Sequence, residues 1–265
     1  MDKLDITACI VTYENDPEMV SQAIDSFLIS KLNVFLLVVD NCSRTDLIEK
    51  LREKYSGNRR VNIIRSEKNG GYGYGHNFGI RNLPESDYHL VLNPDVIIHK
   101  STIDEMVDFM NSNPMIGMLS PRILNTDGSL QALNKREPTI LDLFLRRFVP
   151  IRFQNSGMIK HRLDKYTMMD VGYENTTEVQ FMSGCFMMIR RSLIDSGIFF
   201  DDRYFMYFED ADLSRQMAEI SKVVYYPEVS ITHHLGRFAH KKFKFMLIFI
   251  KSAFLYFNKW GWRIF

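Results

Sequence analysis

The chain has 265 residues, of which 46% are hydrophobic and 25% charged, a composition that suits one large domain or two small ones around a sizeable core. The formal net charge of +1 hides a split: residues 1–228 carry 26 basic and 32 acidic side chains, and the remainder carries seven cations and no acid. No uncharged apolar run reaches the roughly 18–20 residues that span a bilayer, the start lacks a signal-peptide layout, and no nucleic-acid motif is present. Cys9, Cys42 and Cys185 are odd in number and lack metal-ligand spacing, so they read as reduced thiols of a cytosolic protein.

In chain order, residues 6–13 read as a buried strand. Pro17 opens a helix with Val20, Ala23, Ile24 and Phe27 on one face. Strands over 34–39 and 61–64 bracket a helix over 45–55. This rhythm predicts an α/β fold with a parallel sheet covered on both faces. Ligands of such sheets bind beyond the carboxyl ends of the strands, where Thr12, Tyr13, Asp40 and Asn41 fall. An Asp ending a strand is equally a turn former. Residues 69–79 follow, with four glycines within six residues. They let backbone N–H groups approach a ligand, and a helix start behind them favours an anion such as a diphosphate; a flexible loop is the plain alternative. A fourth strand over 88–92 ends in Asn93-Pro94-Asp95. Pro94 turns the chain and leaves Asp95 at the sheet edge, where oxygen ligands suit Mg²⁺ or Mn²⁺. Ser101 and Glu105 then start a helix.

Residues 125–178 carry little pattern. Arg136, Arg146, Arg147 and Arg152 surround apolar patches, and a surface helix is expected over 140–148, with a mobile acceptor-side loop as the alternative. Residues 180–189 read as a strand kinked at Ser183-Gly184. The aromatic run Tyr204 to Phe208 then delivers Glu209, Asp210 and Asp212 to a helix start. Capping explains one or two of these carboxylates. Three beside a wall of rings also suit a cation or a transferable proton. A short strand over 223–226, closed by Pro227, precedes His233 and His234. Residues 236–265 interleave Phe238, Phe243, Phe249, Trp260 and Trp262 with cations including Arg237, Lys241 and Lys242. That pattern fits an amphipathic helix lying on an anionic leaflet, or a helix packed on the domain or in a homodimer.

The series Ile10 to Tyr13, Val39 to Ser43, the Asn69 glycine loop with Asn77, Leu92 to Asp95, Ser183 to Arg191, Glu209 to Asp212 and a late His pair resembles the family 2 inverting glycosyltransferases. It is most similar to their bacterial rhamnosyltransferase-like branch, and it is collinear from about residue 6 to 235. The resemblance implies a GT-A fold over residues 1–235, with a nucleotide-sugar half to about 120, an acceptor half over about 121–235, and 236–265 as a tail. It implies that Thr12, Tyr13 and Asp40 hold base and ribose, that Asn69, Gly70 and Asn77 line the nucleotide-sugar pocket, and that Asn93 lies beside it. Asp95 and His233, with His234 as the alternative, would hold the metal. Asn93 stands where many members have a first Asp, which leaves one negative charge fewer on the ion. Asp210 would be the general base, and Glu209 and Asp212 would bind the acceptor or orient the site, with Gly184 giving close access to the backbone.

The expected donor is dTDP-L-rhamnose, with a UDP-hexose or UDP-galactofuranose as the alternative. The expected acceptor is a polyprenyl-diphosphate-linked saccharide at the inner face of the cell membrane, in bacterial surface polysaccharide biosynthesis. Two readings of other classes are a sugar nucleotidyltransferase and a carbohydrate-binding scaffold. The first expects a Gly-rich, Arg-containing loop after the first strand, where this chain has Thr12 to Asn15. Keeping both Asp95 and Asp210 argues against the second.

Overall fold

The computed structural model describes residues 3–155, 157–234 and 243–265. The expected strands are present as β1 (Leu4–Thr12), β2 (Val34–Asp40), β3 (Val61–Arg65) and β4 (Ser86–Leu92). They pair in parallel in the order β3-β2-β1-β4. Alternate residues of β1 face opposite ways. Ile6, Ala8 and Ile10 pack with helices α1 (Pro17–Leu28) and α2 (Leu47–Tyr55). Cys9 and Val11 pack on the other face, where α3 (Tyr72–Ile80) lies. Burial on both faces is why these strands read as near-continuous apolar runs. Pro17 opens α1, and the Asp16 carboxylate accepts from Glu18 N at 3.1 Å.

The rest of the sheet joins by long-range pairing. It contains β5 (Val96–Ile98), β6 (Ile116–Leu124), β7 (Thr177–Glu178), β8 (Phe186–Arg190) and β9 (Lys222–His233). β8 lies antiparallel between β4 and β6, β9 runs parallel to β6, and β5 closes the edge antiparallel to β9. The helices are α4 (Thr102–Ser112), α5 (Ile140–Phe148), α6 (Ile151–Gln154), α7 (Gly157–Tyr166), α8 (Arg191–Asp195), α9 (Glu209–Ala218) and α10 (Phe243–Trp260).

Four local expectations need correction. Pro227 does not end its strand: β9 runs on to His233, and Pro227 sits in a register shift against β6, where a missing N–H breaks no ladder. The glycine stretch is mostly helix. α3 begins at Tyr72, and Gly73, Gly75 and Gly79 press against Phe200, Val11 and Cys9, with no room for a Cβ. Those glycines serve helix packing; only Gly70 and Gly71 remain in the loop. The strand expected over 180–189 is regular only from Phe186. Ser101 precedes α4 in the left-handed region and makes no side-chain cap. The surface helix expected over 140–148 is α5, closed at its start by a Thr139–Asp142 capping box.

Candidate active site

The parallel strands bring their carboxyl ends together. Thr12 pairs with Asp40 at the end of the β1–β2 ladder, and Asp40 with Arg65 at the end of β2–β3. The Asp40 carboxylate is 1% exposed. Arg65 Nε donates to it at 2.8 Å and Ser43 N lies 3.2 Å from both its oxygens. Thr12 is buried and Tyr13 exposed at the rim. Asn69 Oδ1 accepts from Gly71 N and from Asn41 Nδ2, each at 3.1 Å. Gly71 has φ +101°, and a Cβ there would lie 2.0 Å from Phe205 O. Tyr72 N donates to that same carbonyl at 3.0 Å. The glycine loop is thus locked onto the aromatic run before α9. Asn77 spends its amide inside the protein, on Phe200 O at 2.7 Å and Asp202 at 2.5 Å.

The β5–β9 register sets Val96 opposite His233, so Asp95 stands beside the imidazole, with Nε2 3.4 Å from Oδ1. Gln131 Nε2 donates to His233 O at 2.7 Å, and its Oε1 lies 3.0 Å from Nδ1. An amide oxygen only accepts, so Nδ1 carries a hydrogen and Nε2 is the ring nitrogen that faces Asp95. Asp95 Oδ1 is buried with no hydrogen-bond partner. A cation or a proton between Nε2 and Oδ1 satisfies both atoms, and N and O donors of this kind fit Mn²⁺ or Mg²⁺. His234 meets Asp95 through its backbone N–H, at 2.8 Å from Asp95 O. Among the described residues no group of three or more His, Cys, Asp or Glu side chains could hold an ion alone. Asn93 lies two residues before Asp95, half-buried, its N–H donating to Cys185 O at 2.9 Å.

α9 begins after Tyr207 and Phe208, both at positive φ, a strained turn of the kind found at functional sites. Asp210 Oδ2 accepts from Gly184 N at 3.1 Å and Oδ1 from Ala211 N at 2.9 Å. A Cβ on Gly184 would lie 3.2 Å from Asp210 Cβ, so the turn packs closely on the Asp210 side chain. Tyr72 OH donates to Gly184 O at 2.6 Å and ties the glycine loop to the same turn. Burial raises the pKa of Asp210, while the Lys135 ammonium and the backbone donors hold it down. Glu209 is buried with Oε2 unpartnered, and burial together with the Asp210 charge pushes its pKa well up. Lys135 itself is pushed down to about 8, by burial and then by Arg146.

Asp212 does not join this pair. Residues two apart on a helix face away from each other, and Asp212 is fully buried on the far side. It accepts from Trp260 Nε1 and Gln216 Nε2 at 2.7 Å, and Lys259 Nζ lies 2.8 Å away. Glu209, Asp210 and Lys135 instead floor a cavity of about 940 Å³, walled in part by Arg146 and Arg147 of α5 and Phe249 of α10. Sequence reasoning missed Arg65, Gln131, Lys135 and Tyr72. Arg65 had a signal, as a cation ending the strand next to Asp40. The other three take their meaning only from partners far along the chain.

The family model for glycosyl transferase family 2 matches residues 7–197. The chain belongs to that family. It is a glycosyltransferase of the rhamnosyltransferase-like branch, with the α/β architecture that the resemblance implied. It is 27% identical over 239 residues to N-acetylglucosaminyl-diphospho-decaprenol L-rhamnosyltransferase of Mycobacterium tuberculosis, covering 84% of this chain and 74% of that one. It is 26% identical over 235 residues to rhamnosyltransferase WbbL of Escherichia coli K12, covering 84% and 81%. Among solved structures, GalNAc-T7 with UDP, GalNAc and Mn²⁺ superposes with a TM-score of 0.66 at 16% identity, covering 88% of this chain and 43% of that one. The mannosyltransferase PcManGT of Pyrobaculum calidifontis, in complex with GDP-Man and Mn²⁺, gives 0.62 at 12% identity, covering 90% and 59%. These two likenesses share the GT-A fold.

Proposed function

We propose that this glycosyltransferase moves L-rhamnose from dTDP-L-rhamnose onto a prenyl-diphosphate-linked saccharide, with inversion, in one displacement. The observation that carries the reading is Asp210: a carboxylate of raised pKa, fixed by two backbone donors, at the floor of a cavity large enough for a saccharide. It takes the proton of the acceptor hydroxyl as that oxygen attacks the anomeric carbon from the face opposite the leaving diphosphate. Glu209 beside it keeps the site poised for proton uptake. Residues 1–120 hold the donor: Asp40 reads the pyrimidine, Thr12 and Tyr13 flank base and ribose, and Asn69, Gly70, Asn77 and Asn93 support the pocket. Asp95 and His233 would hold a divalent cation, which supplies positive charge for the departing diphosphate. Residues 121–235 hold the acceptor. The bound nucleotides and the diphospho-decaprenol in the relatives' names support a nucleotide-sugar donor and a lipid-linked acceptor.

α10 fits a peripheral place on the inner leaflet. Its inner face packs on the aromatic run, with Phe249 and Tyr256 against Phe208 and Ser252 Oγ donating to Met206 O at 2.9 Å. Its outer face carries Phe243, Leu247, Ile250 and Phe254, an exposed apolar stripe at helical spacing, with Lys244 and Lys251 exposed beside it. Arg237, Phe238, Lys241 and Lys242 of the expected tail lie outside the described residues. Among the described residues no helix is long and apolar enough to cross a membrane.

Calorimetric titration of dTDP, UDP and GDP, each with and without Mg²⁺ or Mn²⁺, tests the donor site. The expected result is a metal-dependent preference for dTDP. Preference for UDP moves the donor to a UDP-hexose or UDP-galactofuranose, and binding of none of the three overturns the reading. His233→Ala should remove the metal-dependent part of dTDP affinity. Gln131→Leu, which frees the imidazole to rotate, should weaken the metal by about 10–100-fold. Unchanged Mn²⁺ dependence in both variants would remove His233 from the site.

A further inference from the structure

We propose that the mouth of the catalytic cavity, between the end of α5, α6 and the first turns of α10, binds the diphosphate and first isoprene units of the acceptor lipid, with Arg146 and Arg147 taking the diphosphate. This rests on the lipid-linked acceptor argued above and names the residues that would hold it.

The two charge-biased stretches of the chain meet here. No acid occurs between Asp142 and Asp164, where Arg146, Arg147, Arg152, Lys160 and Arg162 lie, and none occurs after Glu228. Both stretches line the same cavity, through Arg146, Arg147 and Ile151 on one side and Phe243, Met246 and Phe249 on the other. They are fastened together, because Ile140 N and Leu141 N donate to the carbonyls of Arg263 and Ile264 at 2.9 and 3.2 Å. Three nearby arginines are held in ion pairs: Arg162 with Asp142 at 2.7 Å, Arg136 with Asp170 at 2.8 Å, and Arg215 with Glu137 at 3.4 Å. Arg146 is exposed and makes no ion pair among the described residues. Its guanidinium lies 5.8 Å from the Tyr166 ring, and that of Arg147 5.5 Å from the Phe249 ring.

Charge sorts the ligand along the cavity. The floor sets Glu209 and Asp210 beside the one ammonium of Lys135 and so offers an anion no net positive charge; the mouth carries two guanidinium groups and no acid among its lining residues, and their planar forks suit phosphate oxygens. A neutral saccharide hydroxyl therefore reaches Asp210 while an attached diphosphate stays at the mouth. Beyond the arginines the wall is apolar and open, with Ile151 75% and Phe243 69% exposed, a surface suited to an aliphatic chain leaving toward lipid. Arginines in the last turn of a helix also satisfy its dipole, and that role alone predicts no diphosphate site.

The test is calorimetric titration of farnesyl diphosphate into the full chain with saturating dTDP and Mg²⁺, so that the nucleotide site is filled. The wild type is expected to bind it, and to bind inorganic diphosphate more weakly. The double variant Arg146→Gln/Arg147→Gln is expected to lose at least about tenfold in farnesyl diphosphate affinity, with dTDP affinity kept. Unchanged farnesyl diphosphate affinity in that variant overturns the subsite and leaves the lipid-linked acceptor standing. A wild type that binds dTDP but no farnesyl diphosphate overturns both. If the double variant loses dTDP binding as well, Arg146→Gln alone, at an exposed side chain, is read by the same criterion.

Discussion

Asp210→Asn is expected to lower sugar transfer by about 10²–10⁴-fold, the range that a positioned general base supplies, with dTDP affinity unchanged. The amide keeps the shape of the carboxylate and cannot take the acceptor proton. It also turns an N–H toward a backbone donor, because both carboxylate oxygens accept from main-chain N–H groups. The dTDP titration therefore serves as the control for an intact fold. Transfer within about tenfold of wild type would remove Asp210 as base.

The pH profile carries the same argument. A base works only when ionised, so activity rises as pH rises through the Asp210 pKa. Burial raises that pKa, so the acid limb should lie above the ordinary aspartate value. Lys135 opposes the rise, so Lys135→Met should move the acid limb to still higher pH. Stability takes the opposite sign. A carboxyl whose pKa is raised in the fold holds its proton more tightly there than in the unfolded chain. Its contribution is present below the unfolded pKa and is lost as pH rises through the folded one. Glu209 and Asp210 are both raised, so the pair that serves the reaction weakens the fold as pH climbs through their raised pKa values.

Asp212→Ala is expected to cost about 3–5 kcal/mol of stability, the range for removing one partner of a buried ion pair. For a chain of this size that is a fall in Tm of roughly 10 °C. Asp212 gathers Lys259, Trp260, Gln216 and, at 3.4 Å, Tyr204 OH around one fully buried carboxylate. Removing it leaves the Lys259 ammonium and the Trp260 N–H without their acceptor, although Lys259 retains Asp201 at 3.6 Å. Asp212 stands two residues after Asp210 on α9, and Lys259 and Trp260 close α10, so the carboxylate fastens the tail helix to the helix that carries the base. Thermal denaturation, with proteolysis within 243–260 as a second readout, tests this. A Tm within about 2 °C of wild type would show that α10 is held by its ring contacts instead.

Much of the donor half is legible in the amino-acid sequence. The parallel strands announce themselves because burial on both faces demands continuous apolar runs, and Asp40 and Asp95 stand where such strands end. α1 and α5 carry their own start signals, Asp16-Pro17 and the Thr139–Asp142 box. The acidic trio was legible as a cluster, but its division was not. Helix geometry turns Asp212 away from Asp210, and only the presence of α10 shows what Asp212 meets. The glycines after Asn69 look like a ligand loop in sequence, because a helix packed tightly on a strand and a phosphate-cradling turn both ask for a missing Cβ.

By itself, then, the sequence determined the α/β class, the parallel start and the placing of carboxylates at strand and helix ends, since each of these is written in local periodicity and spacing, and its collinear motifs carried the resemblance to the family. The tertiary structure alone decided that β8 and β9 enter the sheet between β4 and β5, that β9 runs past Pro227 to set His233 against Asp95, and that α5 and α10 close one cavity over Asp210. Those outcomes depend on which distant segments bury each other's apolar faces and satisfy each other's donors. A residue's own neighbours in the chain carry the period of its element and not the identity of its partner.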